Sequence, residues 1–157
     1  MAMNKQFPPY FIARVLLAGL AATLLLTLMM YKGAPMITGK AMDIAGELGA
    51  MMALPWGMGM AVHFILGVLM FPAAYVLVAQ SRLPGTAVFT GILWGLLLWA
   101  VAMLIMSPMM GKGIFMGAAP AAIASLMGHA VYGGVLGAII GSATSTSTVK
   151  NQVGSEA

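Results

Sequence analysis

The chain has 157 residues, of which 62% are hydrophobic and 6% charged, and this excludes a water-soluble globular domain, whose surface needs roughly 25% charged residues. The formal charge of +4 comes from scattered lysines and arginines with no basic stripe and no interleaved aromatics, which excludes nucleic acid as a partner. Zero cysteines exclude disulfides, thiolate metal sites, iron–sulfur clusters and covalent haem attachment.

Four apolar segments, at about 11–31, 56–80, 87–106 and 117–141, approach or exceed the ~20 residues that cross a bilayer as helix. None contains Asp or Glu, and Arg14 is the one fixed charge at a margin. Backbone groups in lipid must bond within their own segment, and ~10-residue alternating stretches are missing, so helices are expected and a β-barrel is not. The fold expected is all-α: an integral membrane four-helix bundle, one domain over 1–141, with a disordered cytoplasmic Ser/Thr-rich tail at 142–157.

In chain order, Lys5 and Arg14 precede an apolar run in the manner of a signal peptide. Tyr31-Lys32-Gly33-Ala34-Pro35 is a poor cleavage site, however, so the segment is read as a retained helix. Residues 40–48 follow, with apolar side chains at 41, 44, 45 and 48 and charges opposite. This is helical spacing, and they form either a short amphipathic turn lying on the outer surface or an ordinary capping loop. Proline favours the first helical position, so Pro55 and Pro120 mark the starts of the second and fourth helices. Arg82-Leu83-Pro84-Gly85 is a tight turn between the second and third.

With the N-terminus inside, Lys5, Arg14, Arg82 and Lys150 lie on the cytoplasmic side and Lys32, Lys40 and Lys112 on the outer side. This favours cytoplasmic termini in an inner membrane by the positive-inside rule. Tyr31 and Trp56 on one side, and Tyr10, Tyr75 and Phe89 on the other, fit interfacial aromatic belts.

The chain repeats itself. Met29-Met30-Tyr31-Lys32-Gly33-Ala34-Pro35-Met36 and Met109-Met110-Gly111-Lys112-Gly113-Ile114-Phe115-Met116 share the pattern Met-Met-x-Lys-Gly-x-x-Met. Each is followed by a proline-led helix that carries one histidine, so the bundle reads as two tandem hairpins in parallel repeat. In this reading each motif ends an outgoing helix.

His63 follows Pro55 by eight residues and His129 follows Pro120 by nine, each with glycine four residues later, Gly67 and Gly133. At 1.5 Å per residue the rings sit roughly 12 and 13.5 Å below their helix starts, at one level in the outer half of the membrane. A polar ring in hydrocarbon is costly, and the pair is the leading candidate site. Two imidazoles across a bundle suit a bis-histidine haem b for electron transfer. Gly67 and Gly133 would make room for the macrocycle, and Lys32 and Lys112 would pair with its propionates.

Copper is the alternative cofactor. Most of the 17 methionines fall toward the outer side, and thioethers and imidazole suit copper. The ligands would be His63, His129, Met60, Met109 and Met110. A third reading is a non-catalytic structural subunit that packs into a larger membrane complex, or self-associates, through the glycine face Gly133-x-x-x-Gly137-x-x-x-Gly141. No carboxylate pair lies inside the membrane, and no Ser-His-Asp set, His-Glu-x-x-His or phosphate loop occurs, so no enzyme is expected.

Ala18-Gly19-Leu20-Ala21-Ala22-Thr23, Val62-His63-Phe64-Ile65-Leu66-Gly67, Leu83-Pro84-Gly85 and His129-Ala130-Val131-Tyr132-Gly133-Gly134-Val135-Leu136-Gly137 together resemble a family of small four-span bacterial membrane proteins without established function. The resemblance spans most of the chain between residues 13 and 141. It implies a bacterial inner-membrane location and both histidines as family features, but no reaction and no ligand.

Overall fold

A computed structural model describes residues 9–141. Lys5, Lys150 and the expected tail at 142–157 lie outside the described residues. Five helices and no strand are present among the described residues: α1 Pro9–Thr38, α2 Ile44–Met51, α3 Trp56–Ala79, α4 Ala87–Met109 and α5 Ala119–Ile140. All but α2 are long and apolar enough to cross a bilayer. The chain is a multi-pass helical membrane protein.

Three of the spanning helices contain a proline beyond their first turn, and the backbone accommodates each in the same way. Pro35, Pro72 and Pro108 each follow, with one residue between, π-type turns at Met29–Gly33, Leu66–Met70 and Ala102–Met106. Proline lacks an amide proton and its ring crowds the carbonyl four residues back, so widening the preceding turn keeps the helix continuous. One sequence expectation fails here. The first Met-Met-x-Lys-Gly motif does not end its helix, because α1 runs through Lys32, Gly33 and Pro35 to Thr38, where Gly39 at φ 75° closes it. The second copy does end α4 at Met109, with Gly111 and Gly113 both at positive φ. A shared motif thus adopts two backbone conformations, because only the second copy has glycine at both positions the turn needs.

A helix forms in part of the stretch read as amphipathic at 40–48: it begins at Ile44, after Lys40–Asp43, and runs on to Met51. Asp43 caps α2, its Oδ1 accepting from Gly46 N–H at 3.1 Å. Ala45 and Leu48 are buried beneath the helix, which lies across the start of α3. A β-carbon on Gly59 would run into Ala45 O and come within 2.7 Å of Gly49 N, so the two helices touch backbone to backbone.

Around the bundle, α1 lies between α3 and α5, and α4 packs most extensively on α5. Glycines line both hairpin seams. In the first, a β-carbon on Gly19 would stand 2.7 Å from Pro72 Cγ, and one on Gly67 would overlap the Thr23 side chain. In the second, Gly91 and Gly95 face Gly133, Gly137 and the His129 carbonyl so closely that any β-carbon would strike backbone. Helices in lipid gain little from hydrophobicity against each other, so this close approach supplies the packing.

The end holding Pro9 and Gly141 is tied by polar contacts. Arg14 Nε donates to Ile139 O, and Gln80 Nε2 donates to Gly141 O at 2.6 Å. Both satisfy carbonyls that the end of α5 leaves open. Tyr75, expected in an aromatic belt, is instead fully buried against Trp94, with its hydroxyl 3.4 Å from Ala87 O. Tyr10 and Phe89 are exposed, as a belt requires.

Candidate functional site

His63 is buried on α3 and His129 half-buried on α5. The turn of α1 at Leu26 and Thr27 relates their heights. Leu26 Cδ1 covers Gly128, the residue before His129, while Thr27 Oγ1 lies 3.0 Å from His63 Nε2. Two consecutive residues of one helix therefore reach His63 and the residue before His129.

Hydrogen-bond accounting fixes the tautomers of the neutral rings. Thr27 spends its one hydroxyl proton on Thr23 O at 2.7 Å, so it accepts from His63 Nε2–H. His129 Nδ1 lies 2.9 Å from Ser125 O, a carbonyl that can only accept, so Nδ1 carries the proton. One lone-pair nitrogen remains on each ring, Nδ1 of His63 and Nε2 of His129. Neither has a hydrogen-bond partner among the described residues. Anchoring one ring nitrogen on a protein oxygen, so that the other presents a fixed lone pair, is how metal-binding histidines are usually held. Met60, half-buried one turn before His63, adds a thioether on the same helix face.

The two glycines expected beside a macrocycle serve another purpose. Gly67 is filled by Thr23, and Tyr132 OH also reaches Gly67 O at 2.7 Å across the bundle. Gly133 rests on the backbone of Gly91 and Gly95. In this packing neither leaves a slot for a flat ring, and Gly67 and Gly133 both lie in helix seams. The same packing consumes the glycine face that was expected to receive a partner subunit: Gly133 and Gly137 already hold α4. Lys112 is ion-paired with Glu47 of α2, whereas Lys32 is exposed on α1.

Met109 and Met110 do not join the histidines in one described cluster. They line a cleft of about 570 Å³ beside α2, together with Met51, Lys40, Asp43, Glu47 and Lys112. A neighbouring cleft of about 270 Å³ shares Lys40, Glu47 and Lys112 and adds Met42 and Met116. No group of three or more His, Asp or Glu side chains suited to a metal ion occurs among the described residues.

Asp43, which lines the first cleft, belongs to a polar brace that sequence reasoning missed. Asp43 Oδ1 accepts from Tyr31 OH at 2.5 Å and from Trp56 Nε1 at 2.9 Å, besides capping α2. These bonds, the one from Tyr31 foremost, hold the Asp43 carboxyl below its ordinary value of 3.8. Inside the bundle, the Thr23 hydroxyl and the Trp94 indole N–H are buried without a partner among the described residues. The Thr27 contact was equally invisible in the sequence, since thirty-six residues separate it from His63 and nothing local marks the pair.

Residues 12–151 match the model of a family of unknown function, DUF6789. The chain belongs to that family. The match covers all four spanning helices from Ile12 onward, both histidines and the α2 cleft. Comparison with curated proteins and with solved structures finds no match.

Proposed function

We propose that this chain is a copper-handling integral membrane protein without enzymatic activity, in which His63 and His129 together hold one Cu(I). The observation that carries this reading is the pair of anchored rings. Each gives its proton to a protein oxygen and keeps one free lone pair, and adjacent residues of α1, Leu26 and Thr27, reach Gly128 beside His129 and His63. Imidazole with a nearby thioether, here Met60, is a soft donor set that suits Cu(I). Haem b, the cofactor first expected, does not fit. Its macrocycle would need the space that Thr23 takes beside Gly67 and that α4 takes beside Gly133, so no electron-transfer step is derived through it.

The reading places the protein in a bacterial inner membrane with the Pro9 and Gly141 ends toward the cytoplasm. By sequence, Lys5, Arg14, Arg82 and Lys150 against Lys32, Lys40 and Lys112 support this, as does the resemblance of the chain. The α2 cleft then faces outward.

The test is metal content together with an optical spectrum of the purified protein after growth with copper and haem supplied. About one copper per chain at the pair is expected, lost in His63→Ala and in His129→Ala, with no Soret band. A Soret band that vanishes in those variants would restore haem, and copper content indifferent to both variants would remove the pair from any metal role.

A further inference from the structure

The cleft beside α2 gathers soft donors from parts of the chain that are far apart in sequence. Met51 comes from the last turn of α2, and Met109 and Met110 from the end of α4. The α4–α5 connection and α2 are clasped over it by the Lys112–Glu47 ion pair. Met109 is 65% exposed at the end of α4, so its side chain lies outside the packed bundle.

We propose that Met51, Met109 and Met110 form a second, surface Cu(I) site that captures the ion before the buried histidine pair. Three thioethers are neutral, soft and weakly hydrated, so they select Cu(I) and leave Zn(II) and Mg(II) in water. Lys112 neutralises Glu47, so no free carboxylate of that pair offers hard cations a competing site. Asp43, the other acid lining the cleft, already accepts from Tyr31, Trp56 and the backbone of α2. The inference rests on the copper reading above, yet it concerns different side chains and fails separately.

The experiment titrates the full chain in detergent with Cu(I), supplied as its complex with a chromogenic chelator. Wild type is expected to bind two equivalents. The triple variant Met51→Leu, Met109→Leu, Met110→Leu should bind one, as should the double variant His63→Ala, His129→Ala. Leucine is close to methionine in volume, which favours a folded variant. X-ray absorption at the copper edge of wild type reads the ligands even if a variant misfolds, and more sulfur neighbours than Met60 alone supplies are expected. Two equivalents retained by the methionine variant, or a shell of nitrogen alone in wild type, would overturn the surface site and spare the histidine pair. Two equivalents retained by the histidine variant would overturn the pair and spare the cleft. A wild type that binds no Cu(I) overturns both.

Discussion

Gly133 and Gly134 are neighbours on α5, and the structure assigns opposite signs to their replacement by alanine. At Gly133 the new β-carbon would overlap Gly91 O and stand 2.8 Å from both Gly91 C and Gly95 N. All three are helix backbone, which cannot swing aside, so α4 and α5 must separate along their main seam. Overpacking of this kind costs about 1–3 kcal/mol, and backbone obstacles put the value at the upper end. Alanine returns about 1 kcal/mol through its higher helix propensity. A net loss of about 1–2 kcal/mol follows, on the arithmetic of those two principles. At Gly134 the nearest atom would be Ile92 Cγ1 at 3.5 Å, ordinary contact, so Gly134→Ala should gain up to about 1 kcal/mol. Reversible unfolding in mixed micelles with rising SDS, followed by far-UV circular dichroism, measures both. The reasoning fails if the two variants shift stability in the same direction, or if Gly133→Ala is as stable as the parent.

Thr27→Val removes the acceptor of His63 Nε2–H and frees the ring to turn. Loss of such a partner typically costs 10- to 100-fold in metal affinity, so chelator competition should show Cu(I) at the histidine pair weakened by about that factor, while Thr27→Ser stays near wild type. An unchanged Thr27→Val would mean that the hydroxyl does not orient the ring. Acidification should undock α2. Because the folded Asp43 carboxyl lies below 3.8, its contribution to stability is complete above that pH and disappears as pH falls through the lower folded value. With Trp94 and Trp99 changed to Phe, Trp56 emission should report this as a transition below pH 3.8 that Asp43→Asn abolishes. Persistence of the transition in that variant would assign it to another group.

The number of spanning helices and the starts of α3 and α5 were legible in the chain, because apolar run length and a leading proline act locally. The histidines could be placed at similar depth by counting residues from those prolines. Their glycines could not be interpreted in the same way. The pattern His-x-x-x-Gly is identical whether the glycine admits a ligand or a helix, and only the arrival of Thr23 at Gly67 and of Gly91 at Gly133 decides between them. The continuation of α1 through Pro35 escaped notice for a related reason. A proline reads as a stop until the widened turn at Met29–Gly33 shows that the helix absorbs it.

What the amino-acid order determined alone was therefore everything set by transfer into lipid and by single-residue backbone preference: four apolar helices, their approximate limits, and two imidazoles placed at an energetic cost. Tertiary structure alone decided which atoms meet: the glycine seams, the bond from His63 to Thr27, and the methionines of α2 and α4 around one cleft. Hydrophobic burial in a bilayer depends on composition over a stretch of chain. Contact between helices depends on matching surfaces from segments far apart in sequence, and no local pattern encodes that match.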